Sequence, residues 1–224
     1  MYKNLYGYEN SIKLHWQRFG NPFRKAMAEL SATEYFNAEE IKRYQSLELR
    51  NLVDHAYRTV PFYRQLYDRH GVSPVDIRGV DDLEKLPIID REDVKNAGDS
   101  MISDNYKKKG LGHGPTSGPT GSPVSFFWGK RTGILYNAGG WWPKQWAGVQ
   151  YGDAVALFLG QPIVSPVRST PPFWQLDRVH NMLWVSSFHL GAQYLPKILS
   201  KLKEFRPVAI EGYPSTIYIL ARYL

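Results

Sequence analysis

The chain has 224 residues, and 43% of them are hydrophobic, which is enough to bury a core in one large domain or two small ones. No apolar run approaches the ~20 residues that a membrane-spanning helix needs, and the polar, aromatic residues 1–23 do not have the pattern of a secretory signal. Cysteine is absent, which excludes disulfides and thiol catalysis and favours a cytoplasmic protein.

Positive charge is concentrated in one part of the chain. The formal net charge is +7, and residues 101–150 hold six Lys or Arg against a single acid, Asp104. A basic region of this kind attracts anions, so a nucleoside triphosphate and a nucleic acid are both candidate ligands. A solvated basic surface is the alternative interpretation of the run Lys107–Lys109.

Residues 1–100 are predicted to form a mainly helical N-terminal region. Asn37 and Glu40 have the spacing of a capping box, and the apolar residues that follow recur at helical intervals. A break at Val60 and a C-terminal glycine, Gly71, delimit the next helix. The predicted helices are residues 41–57, 61–70 and a short one that Asp90 begins and that runs through residue 94.

Residues 101–224 are predicted to form an α/β region. The predicted strands are residues 124–128, 154–159, 182–185 and 208–210, and the predicted helices are 130–146, 192–205 and 216–224, the last capped by Ser215. Alternating strands and helices indicate a mostly parallel sheet flanked by helices, so the fold class is α/β. The final helix is apolar to its end, and no glycine, proline or polar tail closes it. This pattern suggests that the sequence is a fragment. The alternative is a complete protein whose C-terminal helix is buried.

The sequence TSGPTGSP at residues 116–123 is the strongest functional signal. Glycines allow several backbone N–H groups to face one point, and the hydroxyls add donors, so the segment is predicted to hold phosphate. It does not match the phosphate loop G-x-x-x-x-G-K-[ST]. The nearby Gly110–Gly114 lacks the spacing of a dinucleotide fingerprint, and His113 is expected to be a loop residue.

Several stretches in the same order resemble one enzyme family. TSGPTGSP is similar to the motif [ST]-S-G-[ST]-T-G-x-P of adenylate-forming enzymes. Residues 52–96, 186–191 (SSFHLG) and 205–224 (with GYPS) resemble further parts of the phenylacetate–CoA ligase-like branch, which includes CapK-type proteins of capsular polysaccharide biosynthesis. The resemblance covers about residues 45–224 and implies the N-terminal portion of such an enzyme, with residues 101–224 as an incomplete adenylation domain.

The resemblance also implies a reaction and a set of site residues. A small carboxylate and ATP would form an acyl-adenylate with Mg²⁺, and coenzyme A or another acceptor would then take the acyl group. The resemblance does not assign a catalytic role or a metal-ligand role to any residue of this chain. The implied phosphate-binding residues are Thr116, Ser117, Gly118, Thr120, Gly121 and Ser122, and the implied substrate-binding residues are His189, Gly212, Tyr213 and Pro214.

Two departures from the family motif weaken the predicted phosphate site. Pro119 removes one N–H and one hydroxyl, and Ser122 stands where many relatives have Lys. The adenine-binding Tyr-Gly-x-[ST]-Glu motif, the ribose-binding Asp and the C-terminal catalytic Lys have no counterpart in the sequence. The chain alone is therefore expected to be inactive and to need a further C-terminal portion or an oligomer partner. The alternatives are a non-catalytic interaction module and, with less support, a basic nucleic-acid-binding protein.

Overall fold

The structure is a computed structural model that describes residues 8–116 and 124–223, and they form two compact units. The first unit consists of the described residues up to Met27 together with those from Ile134 onward, and the second unit is Ala28–Gly133. The boundary near residue 100 that the sequence suggests stays a prediction.

Helices dominate the first hundred residues, and local signals set their ends. The helices are α1 (Tyr8–Arg18), α2 (Asn21–Thr33), α3 (Ala38–Thr59), α4 (Pro61–His70) and α5 (Arg91–Ala97). The Asn37 carboxamide accepts from the N–H of Glu40 at 3.0 Å, and the Glu40 carboxylate accepts from the N–H of Asn37 at 2.8 Å, so the predicted capping box is present. Gly71 ends α4 with a left-handed φ of 64°.

The second unit has a small apolar core between α3 and α4. Val53 of α3, Tyr67 of α4 and the nearby Ile77 are buried together. The same unit contains a two-stranded antiparallel hairpin, β1 (Gly112–Pro115) and β2 (Ser125–Trp128), followed by α6 (Lys130–Trp146), which continues into the first unit. The expectation that His113 is a loop residue is wrong, because it lies in β1 with its ring 4.7 Å from that of Phe127.

The first unit is built on a sheet of four strands among its described residues. These are β3 (Val155–Phe158), β4 (Trp174–Asp177), β5 (Met182–Val185) and β6 (Ala209–Gly212), in the order β4-β5-β3-β6. β3 pairs in parallel with β5 and β6, and only β4 is antiparallel. The two following helices are α7 (Leu195–Phe205) and α8 (Pro214–Tyr223). The predicted α/β class with a mostly parallel, helix-flanked sheet is confirmed.

One face of this sheet forms the main core. Its members are Ala156 and Phe158 of β3, Leu183 and Val185 of β5, Leu195, Ile198 and Leu202 of α7, and Leu220 of α8. Side chains alternate between the faces of a strand, so Val155 and Leu157 point to the opposite face. β4 was not predicted, and α8 begins at Pro214, so the prediction that Ser215 is its cap is wrong. Proline suits this first helical position because it has no N–H to leave unsatisfied.

Candidate functional site

The two ends of the predicted phosphate-binding segment are joined at Thr116 and Val124, next to the last residue pair of the hairpin. The Thr116 N–H donates to the Val124 carbonyl at 2.8 Å, and the Val124 N–H donates to the Thr116 hydroxyl at 3.2 Å. The same hydroxyl donates to the Val124 carbonyl at 3.3 Å. Residues 117–123 therefore connect two residues that are hydrogen-bonded to each other. Ser117, Gly118, Thr120, Gly121 and Ser122 lie outside the described residues, and their role stays a prediction.

Lysines near the hairpin in the sequence differ in how their charge is neutralised. Lys108 pairs with Asp99 at 2.7 Å and also lies 5.2 Å from the centre of the Phe127 ring. Lys107 and Lys109 are exposed and make no ion pair within the described parts of the chain. Two of the three consecutive lysines therefore keep charge that is available to an anion.

The carboxyl ends of β3, β5 and β6 meet at one edge of the sheet. The Gly160 N–H, just after β3, donates to the Ser187 hydroxyl, just after β5, at 3.2 Å. Gly160 has a φ of +71°, and a Cβ there would lie 2.9 Å from Cε2 of Tyr213, which follows β6. Tyr213 and Phe188 are both more than half exposed at this edge. In parallel sheets, ligands bind at the carboxyl ends of the strands, so the edge is a candidate binding surface.

The predicted substrate residues Gly212 and Pro214 flank Tyr213 in the turn from β6 to α8. A Cβ at Gly212 would lie 3.0 Å from Cβ and 3.2 Å from the carbonyl oxygen of Phe158 on the neighbouring strand. The Tyr213 carbonyl accepts from the N–H groups of Thr216 and Ile217, in the first turn of α8. Close strand packing explains the glycine and helix initiation explains the proline, and their contact with a substrate stays a prediction.

His189 is buried directly behind this edge. Its Nε2 lies 2.8 Å from the Arg168 carbonyl, and its Nδ1 lies 2.8 Å from the Ser186 hydroxyl. A carbonyl only accepts, so Nε2 carries the proton and donates, and Nδ1 of a neutral ring accepts from Ser186. The ring also stacks on Phe173 with 4.7 Å between centres. His189 thus holds the segment after β3 against the end of β5, and its predicted contact with substrate stays a prediction.

Sequence reasoning did not identify the partners that connect the candidate edge. Gly160 belongs to no motif of the sequence. Ser186 and Ser187 belong to the SSFHLG stretch, in which only His189 carries a predicted role, although two consecutive serines directly after a buried strand are a usable signal. Within residues 8–116 and 124–223, no helix is both long and apolar enough to cross a membrane, and no group of three His, Asp or Glu side chains could hold a metal ion.

The known proteins that are similar to this chain include protein CapK and several CoA ligases. No family model matches the chain. Protein CapK of Staphylococcus aureus is 27% identical over 198 residues, which are 83% of this chain and 43% of CapK. Phenylacetate-coenzyme A ligase of Thermus thermophilus is 38% identical over 58 residues, 26% of this chain and 13% of the ligase. A crystal structure of 2-hydroxyisobutyryl-CoA ligase in complex with 2-HIB-AMP superposes with a TM-score of 0.59 and 17% identity, covering 84% of this chain and 40% of the ligase.

These matches extend the local resemblance of the TSGPTGSP motif to most of the chain. The chain is related to the N-terminal portion of adenylate-forming enzymes. Within that superfamily it is similar to CapK and to phenylacetate–CoA ligases, and its fold is shared with 2-hydroxyisobutyryl-CoA ligase. The chain spans less than half the length of each of these relatives.

Proposed function

We propose that the chain supplies the phosphate-binding and acyl-binding parts of an AMP-forming, carboxylate-activating enzyme. In this reaction a carboxylate oxygen bonds to the α-phosphorus of ATP, the bond from that phosphorus to the bridging oxygen breaks, and pyrophosphate leaves. Coenzyme A or another nucleophile then displaces AMP from the acyl-adenylate. The observation that carries the proposal is the TSGPTGSP segment, fastened between Thr116 and Val124, in a chain similar to CapK over 198 residues.

Residues of the segment would hold the β- and γ-phosphates of ATP. Backbone N–H groups around Gly118 and Gly121 and the hydroxyls of Ser117, Thr120 and Ser122 are donors of the required type. Mg²⁺ would be bound mostly by phosphate oxygens and water, which fits a site with few protein carboxylates. The exposed charges of Lys107 and Lys109, or that of Lys130, would compensate in part for the lysine that many relatives have in place of Ser122.

The carboxyl edge of the sheet would contact the acyl or aryl group. Tyr213 presents an exposed ring above Gly160, where a flat apolar group can pack. His189, Gly212 and Pro214 would keep that ring in place from behind, since each fixes a backbone segment that ends at this edge. The acid is proposed to be small, and the reaction is proposed to serve cell-envelope polysaccharide synthesis, as the resemblance to CapK-type proteins implies.

An interaction module without catalysis is the second candidate. Among the described strands, β6 is an edge strand of the sheet. Val208, just before β6, and Ile210 within it expose 64% and 45% of their surface. Apolar side chains on an open edge favour pairing with another strand. A further segment of chain or a second molecule would cover β6, so the chain would act by completing a partner.

The phosphate proposal is tested by hydrogen–deuterium exchange with and without magnesium pyrophosphate. Exchange at residues 116–121 should slow on addition of the ligand, and Gly121→Val should abolish the effect. Gly110→Ala is the matched control, because a Cβ there meets nothing within 4 Å. Unchanged exchange in the wild-type chain at millimolar ligand would contradict phosphate binding. Release of pyrophosphate from ATP that depends on an added carboxylate supports the enzyme, and a chain that shows neither phosphate binding nor release leaves the interaction module.

A further inference from the structure

One face of the β1–β2 hairpin carries exposed aromatic rings. Side chains alternate between the two faces of a strand, so Phe126 and Trp128 of β2 lie on the same face. In the register of the hairpin they pair with Gly114 and Gly112, which have no side chains that could cover the rings. Phe126 is 46% exposed and Trp128 is 42% exposed. The hairpin, which belongs to the second compact unit, therefore presents two aromatic rings to solvent on one face.

The Trp128 indole is held against the backbone of β1. A Cβ built on Gly112 would overlap Nε1 of the indole, and one built on Gly114 would lie 3.0 Å from its Cη2. A third exposed ring lies next to the end of β2, because a Cβ built on Gly129 would lie 3.7 Å from Cε1 of Tyr106. Rings that are positioned before binding lose little conformational freedom when a ligand stacks on them.

Unpaired positive charge follows these rings along the chain. The exposed basic residues that come just after Tyr106 and Trp128 are Lys107, Lys109, Lys130 and Arg131. None of these four forms an ion pair within residues 8–116 and 124–223. Asp99 and Asp104, the acids of residues 99–133, already pair with other basic side chains. The surface around the rings therefore favours a ligand with several negative charges.

Exposed rings together with unpaired cations match a single-stranded nucleic acid. Every base has a flat π-face that can stack on an aromatic ring, and the phosphates can approach lysine and arginine. Side chains two residues apart on a strand are about 7 Å apart, roughly twice the ~3.4 Å step between stacked bases. Phe126 and Trp128 can therefore each take one of two successive bases when those bases are unstacked from each other. A duplex keeps its bases paired and stacked, so it offers no free base face to this surface.

We propose that this face of the hairpin binds single-stranded nucleic acid. Successive bases stack on Phe126 and Trp128, a further base reaches Tyr106, and the phosphates lie at the four unpaired cations. The inference goes beyond carboxylate activation and does not depend on it, because the three rings have no part in that proposal.

Two labelled strands isolate the contribution of the bases. The first is an oligothymidylate of about eight nucleotides, and the second is an abasic strand of equal length, which has the same phosphates without bases. Fluorescence anisotropy with the full chain should show at least fivefold tighter binding of the oligothymidylate, because each stacked base strengthens binding. Saturating magnesium pyrophosphate at constant ionic strength should leave this preference unchanged, because the rings lie outside residues 117–123. Equal affinity for the two strands, or a preference that pyrophosphate abolishes, would overturn the proposal.

A pair of ring variants tests the place of stacking. Phe126→Leu removes a ring but keeps an apolar side chain on the strand, and it should weaken oligothymidylate binding at least fivefold. Tyr136→Leu is the matched control, because it removes an exposed ring from the first compact unit and should leave binding unchanged. Thermal unfolding checks that both variants fold. Binding that is unaffected by Phe126→Leu, or weakened equally by both variants, would overturn the proposal.

The salt dependence of binding tests the phosphate contacts. Four contacts on a single strand predict a slope of about −3 for log affinity against log salt concentration, and Lys107→Gln with Lys109→Gln should reduce it by about 1.4. The same charge change at Lys197 and Lys203, exposed on α7 in the first unit, should leave the slope unchanged. An unchanged slope in the first variant would overturn the proposal. Tighter binding of a heparin fragment of equal charge would identify an acidic polysaccharide as the ligand and would also overturn it.

Discussion

Replacement of Gly160 by alanine tests whether the Tyr213 ring forms the acyl-binding wall. Gly160 has a left-handed φ of +71°, and the added Cβ would lie 2.9 Å from Cε2 of Tyr213. The left-handed backbone costs about 1–2 kcal/mol for any L side chain. The ring must also move by a few tenths of an ångström, and holding it off its rotamer costs about 0.5–1.5 kcal/mol.

Gly148→Ala is the matched control for backbone strain. Gly148 has a φ of +75°, and a Cβ there meets nothing within 4 Å. Gly160→Ala should therefore lower the free energy of unfolding by about 0.5–1.5 kcal/mol more than Gly148→Ala. Urea unfolding of both variants measures the difference, and in a Tyr213→Ala background the difference should vanish.

Carboxylate binding by the same two variants distinguishes a Tyr213 ring that contacts the acyl group from one that only packs within the fold. Displacement of Tyr213 should weaken binding of a carboxylate several-fold in Gly160→Ala, measured as a higher Kd by titration. Gly148→Ala should leave the Kd unchanged. Equal constants in the two variants, together with a coupling to Tyr213 in unfolding, would refute the proposed acyl contact and leave only a packing role.

Two further predictions concern stability. Asn37→Ala removes the two hydrogen bonds that the Asn37 carboxamide accepts from the N–H groups of Glu39 and Glu40. It should lower the free energy of unfolding by about 0.5–2 kcal/mol in urea titration, and no change would show that the cap is replaced by solvent. Burial opposes ionisation of Asp177, but the hydrogen bond and charge of His180, with a hydrogen bond from Ser11, hold the folded-state pKa of the carboxyl below its ordinary value of 3.8. Its ionised form therefore stabilises the fold above that pH, and this contribution is lost as pH falls through the lower value. Asp177→Asn should therefore be less stable than wild type at neutral pH, and the gap should narrow below pH 3.8; a constant gap would contradict the shift.

Elements with strong local signals were predictable from the sequence. Asn37 with Glu40 and Pro61 with Gly71 determine the ends of α3 and α4 through contacts within a few residues. β4 was missed because its pairing depends on β5 across a turn, and neither its length nor its composition marks it out. The start of α7 was placed three residues too early, because Tyr194 and its neighbours form a turn in which the Gly191 carbonyl accepts from two N–H groups.

The candidate site also has a part that is local in the sequence and a part that only the fold brings together. The predicted phosphate segment is a continuous motif, so the sequence alone is enough to propose it. The carboxyl edge joins Gly160, Ser187 and Tyr213, which meet only because β3, β5 and β6 are parallel neighbours. The contacts of the His180 ring with Phe19 and His15 join residues that are far apart in the chain, and no local pattern around His180 could indicate them.

Two glycines before the predicted phosphate segment are explained by a tryptophan that packs against them. Gly112 and Gly114 lie on β1, and a Cβ at either would come within 3.0 Å of the Trp128 indole. Gly112 is directly opposite Trp128 in the hairpin register, so the indole lies across both glycines. These two glycines therefore give the Trp128 indole room to pack against the backbone of β1. Because that contact ties β1 to β2, it stabilises the two strands that residues 117–123 connect.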